Sequence, residues 1–316
     1  MSISYEELQL ATRNHGMPLE ALQYPVTPVG LHYLLIHYDI PVIAPEDWRL
    51  RIDGCVDHPI ELSLPDLRAM PSTTRALTME CAGNGRALLE PRPLSQPWML
   101  EAVGTGEWTG IELRHVLDIA GVRRDAIEVL FTGADRGIEG GVEQSYQRSV
   151  PVDVAVADRA LLAYDLNGGA LPPQHGFPLR LVMPGWYGMT NVKWLTGITL
   201  IDEPFSGYQH SHAYRLREHE DDEGTPLSRM ATRALMVPPG MPDFYTRVRT
   251  VTEGLCTLYG RAWSGSAAIS SVSVSVDGGA TWDDAVLDEE PSHAGTWIGW
   301  RYEWDARPGE TEVCCR

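Results

Sequence analysis

The sequence predicts an α+β protein in two parts, a strand-rich first part with scattered short helices and then a β-sandwich of immunoglobulin type. Three observations carry this. Up to Ile201, alternating apolar runs are interrupted by short capped segments, without the regular strand and helix alternation of a doubly wound sheet. After Pro242, short alternating runs separated by Gly and Asp-Gly turns follow one another closely, as the strands of a sandwich do. The length of 316 residues allows two domains, each able to bury a core.

Taken in order, Ser4-x-x-Glu7 has the form of a capping box and opens a short peripheral helix that stops near His15-Gly16. WRLRIDG from Trp48 alternates like a strand, ELSLPDLRAM reads as a capped helix, and GIELRHVLDIAG as a helix closed by Gly121. IEVLFTGAD, RALLAYDLNGG, PLRLVMPG and VKWLTGITLI add short strands. Glu203 to Pro242, with its acidic run REHEDDEG, shows no clear period and reads as a long ordered connector carrying a solvated loop. GLCTLYGRAWSG, ISSVSVSVDGGATW and WIGWRYEWDARPG then supply short strands. In the second of these, Val272, Val274 and Val276 alternate with Ser271, Ser273 and Ser275 ahead of an Asp277-Gly278 turn. The expected division is residues 1–205, a connector 206–241, and a sandwich 242–316. Because the chain stops at EVCCR as though inside a strand, the sandwich is expected to be incomplete at its C-terminal end.

Composition narrows the function. Lys plus Arg 25 against Asp plus Glu 43 gives a net charge of −18, which repels a phosphate backbone and argues against nucleic acid as a partner. No apolar stretch approaches the roughly 18 residues that span a bilayer, and the first residues do not form a signal peptide, so no membrane partner and a cytoplasmic location are expected. The five cysteines, Cys55, Cys81, Cys256, Cys314 and Cys315, form neither a disulfide framework nor a zinc pair.

Two constellations can carry chemistry. In Thr78-Met79-Glu80-Cys81-Ala82-Gly83-Asn84-Gly85-Arg86, a cysteine lies between a strand-like run and a glycine-rich turn, where backbone N–H groups and an arginine can stabilise a thiolate. Read alone, Cys81 is open to three roles: small buried hydrophobe, nucleophile or metal ligand. In the second, His175, Arg180 and Lys193 surround the glycine turns of PPQHGFPLR and PGWYGMTNVKW. They can offer a planar fork, a point charge and backbone donors to an anion or a polar heterocycle, or simply stand as strand-end surface charges.

The order MECAGNGR, QPWMLEAVGTGEWTG, LLAYDLNGGALPPQHGFPLRLVMPG and NVKWL resembles the sulfite oxidase family of molybdopterin oxidoreductases, from Val26 to Ile201. GRAWSG with VSVDGGATW is similar to that family's immunoglobulin-like dimerisation domain. The resemblance implies a molybdenum cofactor with molybdopterin, ligated by the thiolate of Cys81, since a soft anionic sulfur suits a high-valent transition metal. It implies that His37, His175, Arg180 and Lys193 hold the pterin and its phosphate. It places Arg86 and Trp98 in the wall of an anion pocket and Tyr214 beside the metal's oxo group. One position departs from the family: where an arginine of an Arg-Asn-His run is expected, this chain has Leu35-Ile36-His37.

The expected activity is transfer of an oxygen atom and two electrons, with sulfite or a related small sulfur compound oxidised. With no haem or flavin segment, electrons go to a separate acceptor, a cytochrome or oxygen. The alternatives are S-oxide or N-oxide reduction on the same cofactor, or a non-catalytic role in assembly. A homodimer is expected, with Trp263, Trp282, Trp297, Trp300 and Trp304 supplying interface aromatics. His210, His212 and His219 lack the spacing and cysteine partners of a zinc site and read as part of the solvated acidic loop.

Overall fold

In the computed structural model, which describes residues 3–217, 219, 221–289 and 293–316, the first turn of chain behaves as its capping residues dictate. The Ser4 hydroxyl accepts the Glu7 N–H at 3.2 Å and the Glu7 carboxylate accepts the Ser4 N–H at 2.9 Å, starting helix α1 (Tyr5–Ala11). The helix ends four residues before His15. Leu50–Gly54 forms strand β1 and Ile60–Leu62 β2; Ser63 then caps α2 (Leu64–Ala69) with Asp66 as its reciprocal partner. Thr73–Glu80 is β3 and Val103–Glu112 is β4.

The helix expected over GIELRHVLDIAG starts later, as α3 (Leu113–Ala120), because Gly110, Ile111 and Glu112 still belong to β4. A Cβ at Gly110 would lie 2.1 Å from the Leu162 carbonyl oxygen, so that glycine serves a close strand approach. Gly121, at φ 71°, closes the helix as expected. The elements β5 (Glu128–Glu139), β6 (Val142–Pro151), α4 (Val152–Ala157), β7 (Leu161–Leu166), β8 (Gly169–Ala170), β9 (Arg180–Val182) and β10 (Leu195–Ile201) complete this part.

Two sheets result. One runs β2-β1-β10-β5-β6, with β1 and β10 parallel and the other pairs antiparallel. The other runs β3-β4-β7-β8, with β9 also on β7, and is antiparallel throughout. The apolar face of α3 (Leu113, Val116, Leu117 and Ala120) packs with Leu50, Ile52, Val129, Phe131, Ile198 and Leu200 of the first sheet in one buried cluster. Each such large aliphatic or aromatic side chain contributes about 1.5 to 3 kcal/mol on burial. No helix among the described residues is long and apolar enough to cross a membrane.

The segment read as an aperiodic connector is more ordered than its composition implies. It holds a π-helical turn (Gln209–Ala213), a small hairpin of β11 (Arg215–Leu216) and β12 (Thr225–Pro226), and β13 (Arg233–Met236). Within REHEDDEG, Glu218 and Glu220 lie outside the described residues. β13 is paired to β16 (Gly254–Trp263), so the second sheet system begins at Arg233, inside that segment. A four-residue strand between prolines is too short to show a period. Between them, β14 (Met241–Pro242) and β15 (Arg249–Thr250) make a separate hairpin.

The remaining strands, β17 (Ser273–Ser275), β18 (Asp283–Asp284), β19 (Val286–Leu287), β20 (Ile298–Ala306) and β21 (Cys314–Cys315), form two sheets, β13-β16-β20-β19 and β18-β17-β21. They enclose one cluster that includes Leu258, Val272, Val274, Ile298 and Trp300. Trp263, Trp297 and Trp300, expected at an interface, are buried in the chain's own interior. Their large apolar area is used within the protomer, Trp263 and Trp297 against Met17, Leu22 and Val103 of the first part.

The two parts meet on β3. The Thr78 N–H donates to the Gly295 carbonyl at 2.8 Å, and the Trp297 N–H donates to the Thr78 hydroxyl at 2.8 Å. At the end of the same strand, the Glu80 carboxylate, 1% exposed, accepts from Arg233 Nη1 at 2.6 Å, Trp263 Nε1 at 3.0 Å and Asn84 Nδ2 at 3.0 Å. Two of these donors come from the second part. Removing one partner of a buried ion pair leaves the others unsatisfied. Glu80→Ala is therefore expected to lower unfolding free energy by about 3 kcal/mol, the lower end of the range for a buried pair because Arg233 is partly exposed. Urea denaturation checks this, and a loss below about 1 kcal/mol would show that the joint carries little of the stability.

Candidate active site

β3 delivers Cys81 to a tight turn. The Cys81 N–H donates to the Ala102 carbonyl at 2.9 Å, the Cys81 carbonyl accepts the Asn84 N–H at 2.9 Å, and Asn84 Oδ1 accepts the Ala102 N–H at 3.1 Å. Gly83 lets two groups approach the thiol closely. Its N–H points at Cys81 Sγ at 3.4 Å, and the Arg86 guanidinium folds over it so closely that a Cβ would come within 2.6 Å of Cζ. Burial raises the thiol's pKa, while the Gly83 N–H, the Arg86 charge and the Trp98 indole oppose the rise. The net effect is upward, so the thiol holds its proton unless a stronger positive charge is brought beside it.

Cys81 opens onto a cavity of about 580 Å³ of empty space, part of it continuous with solvent, lined also by His32, Tyr33, Leu35, His37, Asp135, Tyr146, His175, Arg180, Lys193 and Tyr214. Six of the residues singled out in the sequence therefore share one wall: His37, Cys81, His175, Arg180, Lys193 and Tyr214. Arg86 and Trp98 stand outside the lining and act on the site through the Cys81 thiol; Arg86 is tied to Ser95 Oγ, and Trp98 packs edge-on to Tyr33 with centroids 6.5 Å apart. His210, His212 and His219 do not assemble into a metal-binding group among the described residues.

The basic groups come from three places. His175 ends a single 3-10 turn (Pro173–His175) stopped by Gly176 at φ 111°; its carbonyl accepts from Arg180 Nη1 at 3.2 Å. Arg180, on β9, lies over the Trp108 ring at 5.2 Å. Lys193 Nζ donates to the Leu35 and Gln174 carbonyls at 2.8 and 3.2 Å and lies 4.4 Å from the Trp194 ring centre. Burial drives the pKa of each cationic form down: His175 to about 2, His37 to about 3, Lys193 to about 7 and Arg180 to about 10. The neighbouring Asp135 is pushed up to about 6 by its own burial.

Tyr214 follows the π-helical turn and is hydrogen-bonded to His37 Nε2. With His37 neutral, its Nε2 accepts and the phenol donates. Burial raises the Tyr214 pKa, which keeps the proton on its oxygen. The His37 ring stacks on Tyr146 at 4.7 Å between centroids, and the Tyr146 hydroxyl donates to the Met189 carbonyl at 2.7 Å.

Sequence reasoning missed His32, Tyr33, Asp135, Tyr146 and Arg148. A signal existed for two of them: Tyr146 and Arg148 are two apart on a strand and so share a face. His32 gave none, since it is recognised by its packing. A Cβ on Gly104 would lie 2.8 Å from the His32 ring, and the ring sits 5.5 Å from that of His175.

The donor set fits a phosphate-bearing cofactor with a soft metal. His32 Nε2 and Arg180 Nε are buried without hydrogen-bond partners, and among the described residues neither Arg180 nor Lys193 is in an ion pair; the lining sets these two cations and one carboxylate, Asp135, beside a single thiol. Cations withdrawn from water in this way call for an anion.

Comparison with known proteins gives the same direction. The family model described as oxidoreductase molybdopterin binding domain matches residues 37–209. The chain is 33% identical over 307 residues to a sulfite oxidase of Gallus gallus, covering 92% of this chain and 66% of that one. It is 31% identical over 319 residues to a nitrate reductase [NADH] of Ulva prolifera, covering 92% of this chain and 37% of that enzyme. It thus spans between about a third and two thirds of these relatives' length. Among solved structures, the sulfane dehydrogenase SoxCD from Paracoccus pantotrophus superposes with a TM-score of 0.81 at 26% identity, covering 95% of this chain and 74% of that one. The cation-lined cavity around Cys81 and the match across 37–209 agree, and the chain belongs to the molybdopterin-binding oxidoreductase domain family, whose cofactor is molybdenum held by molybdopterin.

Proposed function

We propose that this chain is the catalytic part of a molybdenum enzyme that oxidises sulfite or a related small sulfur compound and passes two electrons to a separate acceptor, a cytochrome or oxygen. The observation that carries this reading is the basic cavity at the Cys81 thiol, where Arg180 and Lys193 have no ion-pair partner among the described residues. When bound, the cofactor supplies oxygen-atom transfer coupled to a two-electron change at molybdenum.

The chain's own residues do the rest. Cys81 offers a thiolate to the metal. His37, His175, Arg180 and Lys193 bind and orient the pterin and its phosphate through charge and directed N–H groups. Tyr214 keeps its proton and gives it to neutral His37 Nε2, a hydrogen bond that holds the phenol in one orientation at the cavity wall. Arg86 supplies positive potential through the Cys81 turn, and Trp98 shields the thiol from water. The aliphatic Leu35 favours a second reading, reduction of an S-oxide or N-oxide, since a neutral substrate needs no cation at that point.

The strands after Arg233 are read as an immunoglobulin-type sandwich that pairs two copies. Met241, Phe244, Tyr245 and Val248 of the β14 and β15 hairpin are all at least 66% exposed, an apolar group suited to association. A cytoplasmic location completes this reading.

Cys81→Ser is expected to abolish turnover of sulfite with ferricyanide as acceptor, because an alcohol is a poor ligand for a soft metal, while pterin is retained through its phosphate contacts. Molybdenum analysis by mass spectrometry with the activity assay checks this, and full activity in the variant would overturn the ligand assignment. Leu35 lines the cavity and its carbonyl is anchored by Lys193. A charged fork placed there adds a hydrogen bond of about 1 to 3 kcal/mol to a bound anion, so Leu35→Arg is expected to lower the KM for sulfite about tenfold at matched cofactor content. An unchanged KM would favour a neutral substrate. Sedimentation velocity is expected to show a homodimer, and a monomer at high protein concentration would count against the association of the hairpin faces.

A further inference from the structure

Arg148 is a buried cation that the chemistry above does not use. It lies on β6, two residues from Tyr146 and on the same strand face, and is 3% exposed. Its Nη1 donates to the Gln209 carbonyl, its Cζ sits 5.5 Å from the centre of the Tyr214 ring, and its Nε has no hydrogen-bond partner. Three partly or fully shielded arginines meet carboxylates, Arg92 with Glu7, Arg229 with Asp158 and Arg233 with Glu80, whereas buried Arg180 and Arg148 do not. Arg148 instead meets a carbonyl and an aromatic face, so its charge is not cancelled locally.

A charge withdrawn from water and left uncancelled is costly to keep, and its field extends into whatever low-dielectric space adjoins it. Three of the groups that feel that field, His37, Tyr146 and Tyr214, are in the wall of the Cys81 cavity; His210, outside it, feels it too. Leu35, in the same wall, contributes no charge. Held over the Tyr214 ring, the guanidinium also fixes the direction of that ring and, with His37, the place of its hydroxyl.

We propose that Arg148 is a positioning residue that makes this site select anionic over neutral substrates, acting through the Tyr214 ring and hydroxyl it supports. This rests on reading the Tyr214 side of the cavity as the place where a small sulfur anion binds. Arg148 does not touch the substrate. It sets the potential at the phenol and holds the phenol in place, so its removal weakens anion binding far more than the turnover of bound substrate.

The test uses cofactor-loaded protein with molybdenum and pterin content matched, and sulfate as a non-reacting anionic probe. By calorimetry, Arg148→Met is expected to weaken sulfate binding about tenfold, with Arg148→Lys within about threefold of the parent because the charge is kept. The KM for sulfite is expected to rise in parallel with kcat changed less than about twofold, a split that a merely structural role would not produce. Arg148→Gln, which keeps a donor for the Gln209 carbonyl, replaces the methionine variant if that one does not fold. Unchanged sulfate affinity in the neutral variants, equal losses in the lysine and neutral variants, or no sulfate binding by the parent would each overturn the assignment. If the parent binds sulfate but does not oxidise sulfite, the functional reading fails by itself, and Arg148 stands or falls on the sulfate affinities.

Discussion

The Glu80 carboxylate is the constraint on which much of the rest depends. It is removed from water one residue before the cysteine, and a charge in that position persists only if donors surround it. Asn84 comes from the cysteine turn itself, whereas Arg233 and Trp263 come from strands of the second part. The same carboxylate thus fixes the turn that aims the thiol and joins it to strands that are far away in sequence. Asn84 extends the effect, since its amide also bonds the Leu100 carbonyl and the Ala102 N–H. A shift of the second part relative to the first would therefore be felt at Cys81 without any change in the residues that line the cavity.

Much of this was legible in the sequence where chemistry is local. The Ser4 and Ser63 caps and the Gly121 stop follow from side-chain and backbone preferences within a few residues, and the structure bears them out. The cation set at His175, Arg180 and Lys193 was visible because its members lie around two adjacent turns. What the sequence hid is long-range. Nothing near Glu80 announces Arg233, 153 residues away, and a strand of four residues between prolines leaves no period by which β13 could be found. The tryptophans of the second part were read as an interface because aromatic composition does not say which surface an aromatic covers; Trp263, Trp297 and Trp300 cover this chain's own core. Arg148 was passed over because its partners, a carbonyl and a ring, come from a turn more than sixty residues on.

The site also shows how a sheet protein positions chemistry with little helix. Cys81 directly follows one strand, Arg180 begins another, and Tyr146 shares a third with Arg148. Each strand fixes the direction of its side chain to within the pleat. The segments between strands supply what strands cannot, backbone N–H and carbonyl groups turned inward at Gly83 and Gln174. Only Tyr214 is held by a turn of irregular pitch, and that turn is itself pinned by the Gln209 amide to the Tyr38 hydroxyl at 3.0 Å.

The unpaired positive charge of the cavity bears on how the protein is made. Newly synthesised chain folds around Arg180, Lys193 and Arg148 with few carboxylates near enough to balance them, and their mutual repulsion in a poorly polarisable interior favours the unfolded chain. An anionic cofactor that binds only the folded form stabilises it by mass action, about 4 kcal/mol when free cofactor exceeds its dissociation constant a thousandfold. Protein without the cofactor is therefore expected to open more often than the loaded form and to be cut more readily by an added protease.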